Sequence, residues 1–208
     1  IGGDGWETSR VLKRIGYEVL NVFTGDGSYE GIKDSHIADL NLVMCHRSIN
    51  YIAEMMKTKF GIDWLKVNFI GVEETIRSLR EIAMYFDDPI ITAKTEEVIA
   101  DEYAAIAGDM GFYKEKLTGK TAGIFTGGSR THHYQALLSD LGIKTVIGGY
   151  EFAHRDEYEG REVIPSIKLD ADNKNIEEIT VAKDEAKYRL VIDLEKFEEL
   201  KDKIELEE

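Results

Sequence analysis

The sequence predicts an α/β fold of two lobes, each a parallel sheet flanked by helices. Short apolar runs of strand length alternate with amphipathic stretches of helix length in both halves of the chain. The short run at residues 40–44 in particular suits a strand buried in a parallel sheet. Between the halves, residues 92–117 form a long stretch rich in alanine and charge, which predicts a helix joining one lobe to the other.

Trp6, Val11, Leu12 and Ile15 recur at helical intervals up to Gly16, predicting a first helix. Residues 17–23 follow as a strand, and Thr24, Gly25, Asp26, Gly27 and Ser28 supply turn chemistry. Residues 40–44 make a short apolar strand. Residues 51–60 are amphipathic, with Tyr51, Ile52, Met55 and Met56 on one stripe, and Gly61 stops them. Residues 64–69 are a further strand. Ile76, Leu79, Ile82, Ala83 and Phe86 then predict a helix that ends at Asp87, Asp88 and Pro89. The long helix over 92–117 comes next, with Gly108 and Gly111 as points where it could break. After Gly119 the rhythm restarts: strand 121–125, glycine turn, helix 132–141, strand 144–147. Residues 158–192 are polar with short β-like pieces, an insertion, and 194–204 are again helical. The division expected is therefore a Rossmann-like lobe over 1–91, a connecting helix over 92–117, and the start of a second Rossmann-like lobe over 118–208.

Composition narrows the function. Asp and Glu number 40 against 26 Lys and Arg, a formal net charge of −14, which is the wrong sign for wrapping nucleic acid. No apolar run approaches the roughly 18 residues of a membrane span, and no charged-then-apolar leader opens the chain, so a cytoplasmic location is expected. The start at Ile1 without a Met and the charged close at Glu208 suggest a piece of a longer polypeptide. The one cysteine, Cys45, excludes an internal disulfide.

In open parallel sheets ligands bind beyond the carboxyl ends of the strands, so three loops leaving strands are the candidate sites. The first is Cys45, His46, Arg47 and Ser48, with Ser48 or Asn50 as helix N-cap. A thiol beside Arg47 and close to a helix N-terminus is biased toward the thiolate, the form that binds iron. Taken alone, a lone cysteine is more often a small buried filler. The second loop runs from Thr126 through Gly127, Gly128, Ser129 and Arg130. Paired glycines let backbone N–H groups approach an anion and Arg130 adds five donors, although an ordinary tight turn has the same composition. The third follows Gly148 and Gly149, where Phe152 could wall a pocket and His154 donate a hydrogen bond; core packing is the commoner use of both.

Residues 40–51 (LNLVMCHRSINY), 59–71 (KFGIDWLKVNFIG), 76–88 (IRSLREIAMYFDD), 125–133 (FTGGSRTHH) and 149–156 (GYEFAHRD) together resemble, in the same order, the alpha subunit of nitrogenase component 1. The similarity extends over nearly the whole chain. The polar segment from Glu159 to Ile176, with Arg130, Thr131, His132 and His133, tilts the resemblance toward the iron-only type.

The resemblance implies that Cys45 ligates the terminal iron of an iron-sulfur active-site cofactor. An iron-only cofactor is favoured, with molybdenum-iron and vanadium-iron types as alternatives. It implies that Gly127 and Gly128 approach the cofactor sulfides through their N–H groups and that Arg130 offsets cluster charge. Ser48 would hydrogen-bond near the ligating sulfur, Arg47 would flank it, and Tyr51, Phe152 and His154 would stand around the cofactor. The histidine ligand and the eight-iron relay cluster would belong to parts of the subunit outside this chain. Implied partners are the beta subunit, an ATP-dependent iron protein as electron donor, and a small delta subunit, with no nucleic acid and no membrane. The activity implied for the full complex is reduction of dinitrogen to ammonia, the fragment alone being inactive. Two alternatives stay open: a non-enzymatic scaffold for cofactor assembly, and a plain small-anion-binding domain.

Overall fold

The computed structural model describes residues 3–23, 27–44, 46–126, 130–150, 166–168, 179–183 and 186–190. They fall into two compact units, Ile1–Lys116 and Leu117–Glu208. Helices and short parallel sheets make it an α/β fold.

In the first unit, helix α1 (Gly3–Ile15) turns Val11, Leu12 and Ile15 into the core, the stripe that its sequence spacing predicts. The strand expected over residues 17–23 does not form. The Tyr17 N–H is instead drawn back to Leu12 O (3.1 Å), closing the end of α1, while Tyr17 and Val19 still pack on the core. Side-chain burial was legible there, but a ladder partner was not. Helix α2 (Tyr29–Asp34) was not foreseen: it buries no residue and so leaves no apolar stripe. Its start is held by the Ser28 side chain, which accepts from Gly31 N. A 3-10 turn follows at Ser35–Ile37.

Strand β1 (Leu40–Val43), helix α3 (His46–Phe60) and strand β2 (Asp63–Lys66) form one right-sized crossover unit, with β1 and β2 parallel in the register Leu40 to Asp63 through Val43 to Lys66. Helix α4 (Val72–Phe86) buries Ser78, Leu79, Ile82 and Ala83 and ends at Asp87, whose φ of 49° makes it a left-handed cap. Helix α5 (Pro89–Leu117) starts three residues earlier than expected, because Asp88 caps it: its carboxylate accepts from Ile90 N (2.7 Å) and Ile91 N (3.2 Å). Gly108 and Gly111 do not interrupt it. Each costs about 1 kcal/mol against alanine, which a run of good helix formers absorbs.

The core of this unit joins Val11, Leu12 and Ile15 to Val67, Leu79, Ile82, Val98 and Ile99. Only the first third of α5 contributes to it; Tyr103, Ile106, Phe112 and Tyr113 further along are exposed. At the surface α1 is tied to α5 by Arg10 to Glu102 (2.7 Å), Arg14 to Asp101 (2.9 Å) and Arg14 to Glu102.

In the second unit, strand β3 (Thr121–Thr126), helix α6 (Arg130–Asp140) and strand β4 (Lys144–Tyr150) repeat the crossover pattern. Gly142, at φ 76°, ends α6; a Cβ there would meet Thr118 Oγ1 at 2.5 Å, so the turn into β4 requires glycine. The sheet continues through β5 (Ser166–Lys168), β6 (Ile179–Lys183) and β7 (Ala186–Leu190) in the order β3-β4-β5-β6-β7. Strands β3, β4 and β5 are parallel, whereas β5, β6 and β7 are antiparallel. The polar segment, expected as an insertion with short β-like pieces, thus extends the sheet with an antiparallel edge. The helix expected over 194–204 lies outside the described residues.

Candidate functional site

At the first strand-to-helix junction the last rung of the parallel ladder is Val67 N–H to Val43 O (3.1 Å). The chain leaves β1 at its carboxyl end and enters α3 at His46, with Met44 and Cys45 between. Cys45 itself lies outside the described residues, as do the side chains of Arg47 and Ser48, whose main chain forms the first turn of α3. Ser48 and Asn50 are therefore inside the helix rather than at its N-cap. Tyr51 is 73% exposed and Met55 is exposed with it, while Met56 is buried and Ile52 half-buried alongside buried Ala53, so only the Ile52 and Met56 side of the stripe that the spacing suggested faces inward. The turn of helix before Tyr51 was missed although Ile49, three residues before Ile52 and seven before Met56, is an apolar residue in phase with the inward side.

Beyond β2 the polar groups are tightly paired. The Ser78 hydroxyl accepts from Asn68 N–H and donates to Asn68 O, both at 2.9 Å, and the Asn68 side chain accepts from Ile70 N–H (2.9 Å) and donates to Glu74 Oε2 (3.3 Å). Asn68 and Ser78 are both buried. Glu74 in turn holds Arg77 (2.7 Å), and this hydrogen bond is the largest cause of the raised Arg77 pKa. Sequence reasoning missed these residues. The available signal was a polar residue between a strand and the Gly71 that precedes a helix.

The second junction has the same form. Strand β3 ends at Thr126 and α6 begins at Arg130. Gly127, Gly128 and the Arg130 side chain lie outside the described residues. At the third position the loop expected from Gly148 onward is strand: β4 runs to Tyr150, with Gly148 and Gly149 paired to Ile124 and Phe125 on one side and to Ser166 and Ile167 on the other. Phe152 and His154 lie outside the described residues.

Among the described residues no three His, Cys, Asp or Glu side chains gather as a metal-binding group. No helix among them is long and apolar enough to cross a membrane.

Comparison with known proteins turns these junctions into a family assignment. The family model described as nitrogenase component 1 type oxidoreductase matches residues 1–205. The nitrogenase molybdenum-iron protein alpha chain of Clostridium pasteurianum is 60% identical over 97% of this chain and 38% of its own length. That of Methanosarcina barkeri is 50% identical over 99% of this chain and 38% of its own length. A solved structure described as nitrogenase Cp1 at pH 6.5 superposes with a TM-score of 0.74 at 60% identity, covering 98% of this chain and 39% of that one. The chain thus spans under two fifths of the length of these relatives.

Their names correct the tilt toward an iron-only type. Matches over 97% and 99% of the chain necessarily include the polar segment, so that segment also occurs in molybdenum-iron alpha chains and does not mark the iron-only ones. The chain belongs to the nitrogenase component 1 family of oxidoreductases.

Proposed function

We propose that the chain is part of the catalytic alpha subunit of a nitrogenase, and that it holds one end of an iron-sulfur active-site cofactor through Cys45. The observation that supports this reading most is the position of the one thiol in the sequence, between the carboxyl end of a parallel strand and the start of a helix. A soft thiolate is the donor that iron-sulfur clusters take, and the positive end of the α3 dipole, together with Arg47, favours that ionised form. The donor chemistry therefore fits the group.

When bound, the cofactor supplies the multi-electron chemistry that reduces dinitrogen to ammonia. The residues of this chain anchor and tune it. Cys45 would fix one end, Gly127 and Gly128 would present N–H groups, and Arg130 would set a fixed positive charge against a cluster of negative charge. Ser48, Tyr51, Phe152 and His154 would pack or hydrogen-bond around it. Electrons would reach the assembled protein from an ATP-dependent iron protein, and a beta subunit would complete it. The molybdenum-iron names of the relatives favour molybdenum over iron alone at the variable position.

The test is reduction of dinitrogen by the assembled protein with its iron protein and ATP, together with metal analysis. Ammonia formation and molybdenum alongside iron are expected. Cofactor-type iron without substrate reduction would point to the assembly scaffold instead.

A further inference from the structure

We propose that Ser78 is a positioning residue for the sheet edge from which Cys45 follows, acting through the main chain of Asn68. The inference rests on the reading of Cys45 as cofactor ligand.

Up to Val67 the chain of β2 is held by its parallel neighbour, the last rung being Val67 N–H to Val43 O at 3.1 Å. One residue later the partner changes. The Asn68 N–H and C=O are both satisfied by one hydroxyl of α4, Ser78 Oγ, at 2.9 Å each. That uses the single proton of the serine and one of its lone pairs. Ser78 is 0% and Asn68 4% exposed, so water cannot replace either bond.

The side chain of Asn68 fixes the same turn. It accepts from Ile70 N–H at 2.9 Å and donates to Glu74 at 3.3 Å, and Glu74 is gripped by Arg77 at 2.7 Å. Helix α4 thus takes over from β1 as hydrogen-bond partner of the chain, and the ladder between β1 and β2 ends at Val43 and Val67. Met44 and Cys45 are the next residues on the β1 side. A gap at the carboxyl edge of a parallel pair is where such sheets receive a ligand. Ser78 sets where the ladder ends, through the main chain of Asn68 alone.

The experiment places Ser78→Ala, the milder Glu74→Ala and, as control, Cys45→Ala in the assembled component 1 protein. The readouts are the electron paramagnetic resonance spectrum of the cofactor, the rate of iron loss to a chelator, and the melting temperature. Ser78→Ala should isolate with the parent iron content, an altered spectrum and roughly tenfold faster iron loss, the lower end of the effect of partners that support a metal ligand. Glu74→Ala should shift both readouts in the same direction by less. Ser78→Thr, which keeps the hydroxyl, should restore the spectrum. A parent-like spectrum and loss rate in both alanine variants would overturn the proposal even if the melting temperature fell. Should Ser78→Ala not assemble, the spectrum of Glu74→Ala decides. Full iron retention in Cys45→Ala would remove the underlying cofactor reading, an outcome separate from either Ser78 result.

Discussion

Ile82→Ala tests whether α4 carries the core on which the β1–β2 edge rests. Ile82 is 1% exposed and sits in the cluster with Leu79, Val67 and Val98. The substitution removes three carbons at about 0.8 kcal/mol each, roughly 2.4 kcal/mol in transfer alone. The cavity that the neighbours cannot fill raises the total to about 3–4 kcal/mol. Two residues on, Met84 is 69% exposed on the opposite face, and Met84→Ala should change stability by less than about 0.5 kcal/mol. The two tryptophans, Trp6 and Trp64, both belong to the first unit, so their fluorescence follows its unfolding alone. Trp6 is well exposed on α1, which leaves Trp64, whose indole N–H donates to Glu54 at 2.9 Å, as the main reporter. With a urea dependence of about 2 kcal/mol per molar, Ile82→Ala should lower the midpoint by roughly 1.5–2 M. A midpoint shift no larger than that of Met84→Ala would refute the packing argument.

Two further outcomes follow from local geometry. Asp88→Ala removes the carboxylate that accepts from Ile90 and Ile91 N–H, and should cost about 1 kcal/mol in the same urea assay while Asp88→Asn retains most of it. Glu102 has its pKa lowered from 4.5, first by the hydrogen bond from Arg10 and further by Arg14. Its folded pKa lies below the unfolded one, so its contribution is present above about pH 4.5 and is lost as pH falls through the lowered value. Glu102→Gln should therefore flatten the acid side of the first unit's stability profile, and an unchanged slope would contradict the assignment.

What was legible depended on whether a residue's signal was local. Helix α4 could be read because Ile76, Leu79, Ile82, Ala83 and Phe86 repeat at helical spacing and the helix buries that face. Helix α2 could not, because it buries nothing and its only mark is the Ser28 cap. The orientation of α3 was misjudged at Tyr51 and Met55, since apolar residues on two neighbouring stripes do not say which one the sheet will cover. Residues 17–23 carry strand-like side chains, yet their main chain closes α1 instead. The antiparallel edge of β6 and β7 depends on pairing across a polar segment, and pairing is non-local. At the candidate site, the residue types of the Cys45 and Gly127–Gly128 junctions were visible because each follows an apolar strand. Asn68 and Ser78 are ten residues apart and on different elements, and neither looks remarkable as a polar residue until the fold brings them together.

The most direct measurement of the account is the metal content of the assembled component 1 protein carrying Cys45→Ala. Loss of cofactor iron, with molybdenum falling in parallel, is the predicted result. Iron and molybdenum at the parent level would contradict the role given to this sulfur.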